Sequence, residues 1–396
     1  MGIILIDIPD TIKKFYPLTM TRPIGKLRIG IFTIAEKWHF FSELPVSYLA
    51  ESHLKKKYPA VIESENIFIN SSVLPDKDLF NVISAMKENE GIFDKGVFLA
   101  AKGGQEIFEN SIQHFDFSHL KKKSYTNEYN KLKGVTDIFN FNGNQIRADI
   151  CHVSIKEKYG AEINTTFYNK QNIFIEEGAK LKSCILDAEE GPIYIGENAN
   201  VLPGSIIIGP AAVLDNCTIA YGSKIRPNTT IGPYSKVGGE LSNVVFMGYS
   251  NKAHDGFLGS SIIGSWCNFG AGTNNSNLKN NYGKVKIWDY EEGIMVDSGL
   301  RHCGLIMGDH SKCGINTMFN TGTVVGICAN IFGSDYMPKH IPSFSWGNQE
   351  YEFEKAMKTI EIVKSRRNET LDDMEIEIMK YVLNYSEKFR SGNNNL

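Results

Sequence analysis

IGENANVLPGSIIIGPAAVLDNCTIAYGSKIRPNTTIGPYSKVG, residues 195–238, carries an aliphatic side chain at every sixth position: Ile195, Val201, Ile207, Val213, Ile219, Ile225, Ile231 and Val237. A period of six fits neither the 3.6 of an α-helix nor the simple alternation of a strand. It fits a solenoid whose flat faces are short strands, each pointing one aliphatic residue inward onto its equivalent in the next coil. Gly204, Asn216, Gly222 and Asn228 fall where the chain must turn a corner, and they are the residue types that tolerate left-handed backbone. The register returns at Met307, Cys313, Phe319, Val325 and Ile331. Three faces of six residues make an 18-residue coil, so the stretch from about Ile155 to Pro338 has room for around ten. Two polar, glycine-rich stretches, Gly238 to Gly256 and Gly272 to Gly283, are expected to loop out.

Most of the 36 glycines and all seven cysteines lie in this middle region. Residues 1–150 have ordinary helix- and strand-compatible composition, and residues 343–396 are rich in Glu, Lys, Met and Ile. The expected domains are therefore 1–150, 151–342 and 343–396. In the first, Gly2 to Ile6 reads as a buried strand, and Ile67 to Ile69 and Val97 to Ala101 as further strands. Asp76 or Asp78 is placed to cap a helix running to about Lys87, with Leu79, Val82, Ile83 and Met86 on one face. That is an α/β layer. In the tail, Phe353, Met357, Ile360 and Lys364 share one helical face. A second helix restarts near Asn368 or Thr370, with Thr370 and Asp373 approximating a capping box, and includes Leu371, Met374, Ile378 and Val382. Ser391 to Leu396 should fray.

With 42 Lys+Arg against 45 Asp+Glu, the net charge is −3. No domain-wide positive field exists to hold nucleic acid. No apolar run is long enough to span a membrane, and nothing at the N-terminus reads as a cleavable signal. The cysteines are dispersed without a CxxC pair, so a reducing cytoplasmic location is expected. His302, Cys303, His310 and Cys313 can be drawn as a zinc site, but Cys313 holds an inward position and is a poor ligand there.

The hexapeptide array, with Asn251-Lys252-Ala253-His254-Asp255-Gly256-Phe257-Leu258-Gly259 and Asn268-Phe269-Gly270-Ala271-Gly272-Thr273, resembles the C-terminal half of the bacterial bifunctional N-acetylglucosamine-1-phosphate uridyltransferase/glucosamine-1-phosphate acetyltransferase family. The resemblance implies a left-handed parallel β-helix assembled as a homotrimer, with acetyl-CoA or another acyl-CoA as co-substrate. The N-terminal segment resembles sugar nucleotidyltransferases through Pro17-Leu18-Thr19-Met20-Thr21-Arg22-Pro23-Ile24-Gly25-Lys26-Leu27. That implies an α/β, Rossmann-like nucleotidyltransferase domain of a divergent branch, using Mg²⁺ if it is active. The glycine-rich phosphate loop of that family is absent. Ile8 to Lys14 stands in its place, and Ile24 replaces the usual lysine. Such a loop works by bringing backbone N–H groups close to phosphate, which glycine permits.

Thr19, Arg22, Lys26 and Arg28 are the nucleotide-binding candidates. The three cations either meet a phosphate or line the top of the α/β layer. Asp137 and Asp149, with Asp7, are the candidate Mg²⁺ ligands, against the ordinary reading of capping or surface aspartates. For acyl transfer the resemblance assigns His254 as the base and Asn277 to the acetyl group. Histidine suits the role because imidazole changes protonation near neutral pH. Lys252, Lys236 and Tyr249 are candidates for the acceptor's phosphate. Phe257 stands where the family has a sugar-phosphate tyrosine, and so lacks its hydroxyl. The leading expectation is a sugar-nucleotide pathway transferase that moves an acyl group from acyl-CoA to an amino sugar or sugar phosphate. One alternative makes NDP-sugar and pyrophosphate from a sugar 1-phosphate, with the helix only trimerising. The other is a non-catalytic trimeric sugar-nucleotide-binding scaffold.

Overall fold

The computed structural model describes residues 1–153 and 161–390. The expected start of the coils near Ile155 and the expected frayed end from Ser391 lie outside the described residues. The chain divides into two compact units. One comprises Met1–Phe15, Thr19–Leu27 and Phe32–Val135; the other takes Tyr16–Leu18, Arg28–Ile31 and the chain from Thr136 onward. The division therefore falls at Val135, earlier than the composition break at 150, and the tail helices group with the coils.

The first unit is a six-stranded sheet of β1 (Gly2–Ile6), β2 (Val46–Leu49), β3 (Asn66–Asn70), β4 (Glu90–Asp94), β5 (Val97–Gly103) and β6 (Lys121–Ser124), in the order β2-β1-β3-β5-β4-β6. β5 runs against β3 and β4, and the remaining strands are parallel. Ile3 to Ile6 are fully buried, as a continuous aliphatic run inside such a layer must be. Helix α1 (Lys77–Ser84) is capped by Asp76, whose carboxylate accepts the Leu79 N–H at 2.8 Å. It stops at Ser84 rather than Lys87, and Val82 lies exposed. Leu79 and Ile83 form its buried face, Met86 is buried just past its end, and Val82 falls off the face.

The second unit is built on long parallel ladders. Ile193 pairs with Ala211, which pairs with Thr229; Asn200 pairs with Thr218, which pairs with Lys236. Both steps are 18 residues. Successive strands visit three ladders in turn before the first is met again. One ladder has eleven strands, of which only the last pairing, Ser345–Trp346 with Gln349–Glu350, is antiparallel. Ile195, Val201, Ile207, Val213, Ile219, Ile225, Ile231 and Val237 are all exposed by 1% or less and belong to a single core. Each such side chain contributes roughly 1.5–3 kcal/mol by leaving water.

The corners hold one surprise. Gly204, Gly222, Asn216 and Asn228 take positive φ as expected, of 78°, 66°, 57° and 63°. Continuing the Asn216 corner, Tyr234, Tyr249 and Trp266 also sit at φ of 58°, 57° and 64°, a region that bulky side chains rarely occupy. Their rings stack instead, at 4.9 Å for Tyr234–Tyr249 and 4.3 Å for Tyr249–Trp266. Stacking between coils offsets backbone strain that glycine would have avoided.

Neither expected excursion stands as drawn. Residues 238–256 stay in the coil: Glu240–Gly248 and Asn251–Lys252 are ladder strands, with Leu241, Val244 and Phe246 inward. The coil is merely short there, Lys236 pairing with Asn251 after 15 residues. The real insertion comes later, where Asn268 pairs with Lys312 and Asn274 with Met318, each after 44 residues. It leaves the coil after Asn275 and carries the antiparallel hairpin Lys286–Asp289/Ile294–Asp297. Gly272 to Asn275, read as the start of a loop, are coil residues.

Helix α2 (Asp137–Asp149) also belongs to this unit. Its Asn142 amide donates to the Asn228 carbonyl at 2.9 Å and to the Thr230 hydroxyl at 3.0 Å. A Cβ on Gly143 would lie 1.9 Å from the Asn228 side-chain oxygen, so only glycine allows this approach. The tail forms α3 (Phe353–Ser365) and α4 (Asp373–Arg390). The second starts later than expected. Its capping box is Asp372 with Glu375, not Thr370 with Asp373: the Asp372 carboxylate accepts the Glu375 N–H at 2.7 Å, and the Glu375 carboxylate accepts the Asp372 N–H at 3.3 Å. No helix among the described residues is long and apolar enough to cross a membrane.

Candidate functional site

In the second unit, Lys252 ends a ladder strand, and the chain turns a corner through Ala253 to Gly256 before the strand Phe257–Ser265 begins. His254 and Asp255 are exposed on that corner. The next coil holds the corner from beneath: the Gly272 N–H donates to the Asp255 carbonyl at 3.1 Å, and the Asn274 side chain accepts the Phe257 N–H at 2.7 Å. Asn275 holds both backbone groups of Gly259, accepting from its N–H at 2.8 Å and donating to its carbonyl at 3.1 Å.

Asn277 comes next along the chain, where the insertion begins. Its amide nitrogen lies 3.5 Å from the Ser260 hydroxyl. A Cβ on Gly259 would lie 2.6 Å from that nitrogen and 2.7 Å from the Phe257 ring. Phe257, Gly259, Ser260 and Asn277 therefore form one cluster, and a bare backbone at Gly259 makes room for it. Asn274, Asn275 and Ser260 were not legible as parts of a site. Their signal was the asparagine-rich run itself, which polar composition disguised as a loop.

The other acyl-site candidates are placed differently. Lys252 is 1% exposed and points into the coil, so it cannot meet an acceptor's phosphate at the surface. Tyr249 is in the middle of the ring stack, at a different corner from His254. Its hydroxyl bonds to Glu369, and burial first, then that carboxylate, holds the phenol above its ordinary range. Lys236 is exposed on an outward ladder position, paired in register with Asn251.

Of the nucleotide-binding candidates, Thr19, Arg22 and Lys26 belong to the first unit and Arg28 to the second. Thr19 is fully buried, its hydroxyl donating to the Ile12 carbonyl at 3.1 Å. Arg22 is half-buried, and Lys26 is exposed with its ammonium 5.5 Å from the centre of the Tyr48 ring. Arg28 belongs to the other unit, where its guanidinium donates to the Ile31 carbonyl. At the carboxyl end of β1, Asp7 is 3% exposed and accepts the Ile24 N–H at 3.2 Å. Burial pushes its carboxyl up to about 7, against the hydrogen bonds from Ser71 and Ile24. The Asp7 side chain thereby ties the end of β1 to the Ile24 backbone.

Asp137 and Asp149 cannot share one Mg²⁺. They end the same 13-residue helix, about 18 Å apart at 1.5 Å per residue. Asp149 is 4% exposed and accepts the Ile31 N–H at 2.8 Å. No cluster of three His, Cys, Asp or Glu among the described residues is arranged to hold a metal. Asp149→Ala is expected to lower stability by roughly 1–3 kcal/mol, because it leaves a buried N–H unpaired. Denaturant titration checks this, and a loss confined to Mg²⁺ binding would contradict it.

The first unit has a cavity of about 670 Å³ that none of the candidate residues lines. Asp94 at the end of β4 and Ser124 at the end of β6 border it, with Asp76, Lys95, Tyr125 and Tyr129. Crevices at carboxyl strand ends are where open α/β sheets take ligands. The Tyr129 hydroxyl donates to Asp94 at 3.0 Å, and burial together with that carboxylate raises the phenol to about 12.

The profile of the sugar nucleotidyl transferase family matches residues 3–157. A bifunctional sugar-1-phosphate nucleotidylyltransferase/acetyltransferase of Sulfurisphaera tokodaii is 31% identical over 160 residues, 40% of this chain and 37% of that protein. The bifunctional protein GlmU of Methanocaldococcus jannaschii is 28% identical over 309 residues, 74% of this chain and 67% of that protein. GlmU of Ruthia magnifica is 32% identical over 112 residues, 23% of this chain and 25% of that protein. The chain thus spans little more than a third of the Sulfurisphaera tokodaii protein and about two thirds of the Methanocaldococcus jannaschii one. It is homologous, at low to moderate identity, to the GlmU-like nucleotidyltransferase/acetyltransferase superfamily of archaea and bacteria.

Proposed function

We propose that the coiled unit transfers an acyl group from acyl-CoA to the amine of an amino sugar or sugar phosphate. The observation that carries this reading is the corner at His254: an exposed imidazole on a loop fixed by the next coil, one strand-start from the Phe257–Asn277 cluster. In the reaction the acceptor nitrogen attacks the thioester carbonyl as His254 takes the amine proton. The tetrahedral oxyanion collapses, the C–S bond breaks, and the CoA sulfur leaves with a proton. In this reading the Asn277 amide is the donor to the developing oxyanion. Phe257 supplies an apolar wall where the related enzymes hold sugar phosphate with a hydroxyl, which favours an acceptor other than glucosamine 1-phosphate. In this reading the ladders wind as a left-handed β-helix and the chains assemble as trimers, as the family resemblance implies, in the reducing cytoplasm that the dispersed cysteines suit.

Thiol release from acetyl-CoA, measured across a panel of hexosamines and hexosamine phosphates, tests the reading. Release that depends on a free amino group is expected. Release that is equal with N-acetylated sugars, or none with any of them, would overturn it.

The family match over residues 3–157 favours nucleotidyl transfer as a second activity. The separation of Asp137 from Asp149 does not fit one metal held between them, and no step is assigned to Mg²⁺. Pyrophosphate release from UTP or dTTP and a sugar 1-phosphate is the measurement that separates this activity from acyl transfer.

A further inference from the structure

Lys252 breaks the rule that builds the coil. In its ladder the inward positions read Val201, Ile219, Val237, Lys252, Phe269, Cys313 and Ile331, and the lysine is as deeply buried as its apolar neighbours. A buried ammonium is costly unless its protons are all accepted. Here they are. Nζ donates to the carbonyl of His254 at 2.9 Å, of Gly256 at 3.1 Å and of Gly238 at 3.2 Å. Two of these acceptors flank Asp255 on the corner that carries His254, and the third belongs to the coil before it. The clamp is tight: a Cβ on Gly256, at φ 122°, would lie 2.1 Å from the Thr273 carbonyl and 3.3 Å from Nζ.

We propose that Lys252 is a positioning residue, whose ammonium reaches the corner from inside the coil and sets the direction in which His254 faces its substrate. The inference rests on the acyl-transfer reading for its effect on turnover, but the clamp itself does not. An aliphatic residue at 252 would fill the same space and leave the corner carbonyls without their common donor. A charged donor makes stronger hydrogen bonds than a neutral one, so the corner is held most firmly while the lysine is protonated.

Burial lowers the ammonium to about 8, against Asp255, which favours the charged form. The titratable groups that act on it are Asp255 on its own corner and the Cys313 thiol, one coil beyond Phe269, itself raised by burial and so neutral. Above pH 8 the neutral amine has two N–H groups for three carbonyls, and the corner loosens. The effect on the fold has the opposite sign. The folded-state value lies below that of the unfolded chain, so the unfolded state binds more protons between pH 8 and about 10.5, and this group makes the fold more stable as pH rises through that window.

The test compares wild type with Lys252→Met by thiol release from pH 6 to 9.5 and by hydrogen–deuterium exchange over residues 253–258. Lys252→Met is expected to lower kcat roughly 10- to 100-fold, with KM for acetyl-CoA unchanged, and to abolish the wild type's alkaline fall in kcat. Exchange should quicken at the corner and not in the coils around Ile219 and Ile331. Between pH 8 and 9.5 the wild type should gain stability relative to Lys252→Met while losing turnover; a purely structural lysine would move both together. Unchanged corner exchange in Lys252→Met, or quickened exchange throughout the coils, would overturn the inference. If the wild type releases no thiol yet the corner alone loosens in Lys252→Met, the clamp stands and the acyl-transfer reading fails.

Discussion

Replacing His254 by Ala is expected to lower acyl transfer roughly 100- to 10,000-fold, the usual contribution of a positioned general base. The side chain is exposed, and the corner is held by backbone atoms of His254, Asp255 and Phe257 rather than by the imidazole. The thermal melt should therefore stay within a degree or two, as surface substitutions generally change stability by less than about 0.5 kcal/mol. Loss of turnover with the melt intact is the signature of a residue that acts on substrate. Turnover at the wild-type rate would remove His254 from the reaction, whatever the fate of the fold. Asn277→Ala should fall between the two, since truncating it removes a donor but leaves the base.

The second large effect concerns the coil itself. Ile219→Asp places a carboxylate between Val201 and Val237, where the native side chain is fully buried. Three carbonyls receive the ammonium of Lys252, but no such acceptor or donor set surrounds Ile219, which lies wholly within the apolar core. An unpaired buried carboxylate costs several kcal/mol, against a total stability of about 5–15 kcal/mol for a typical domain. The variant is expected to aggregate or to melt far below the wild type. Lys224→Asp, five residues on and exposed, should be nearly neutral. A melt of Ile219→Asp close to that of Lys224→Asp would show that the six-residue period does not mark the core.

That period was legible because the physics behind it is simple: one inward position per face, with little room for anything but an aliphatic chain. The same rule hid Lys252. A lysine between Asn251 and Ala253 reads as surface, and nothing in the linear pattern shows three carbonyls waiting inside. The asparagines at 274 and 275 misled in the opposite direction. Their polarity suggested a loop, whereas their amides replace backbone partners inside the coil. Helix α2 was assigned to the N-terminal domain because its composition resembles what precedes it. Its grouping is set by Asn142 and Gly143 meeting Asn228, a contact between residues 85 and more positions apart that no local pattern reveals. The aromatic corners at Tyr234, Tyr249 and Trp266 defeat propensity outright, since ring stacking between coils decides them. In the N-terminal unit the missing glycine loop was legible, whereas the burial of Asp7 against the Ile24 N–H was not. The cavity beside Asp94 and Tyr129 was not, because its lining comes from strand ends and a connecting segment without a motif.

The most direct measurement is a crystal structure of the full chain with a non-hydrolysable acetyl-CoA analogue. The account predicts the acyl carbonyl at the corner, with the His254 ring and the Asn277 amide both within hydrogen-bonding reach of the reacting group or one water away. An analogue bound with its acyl end at another corner of the coil, or with His254 and Asn277 facing separate clefts, would contradict it.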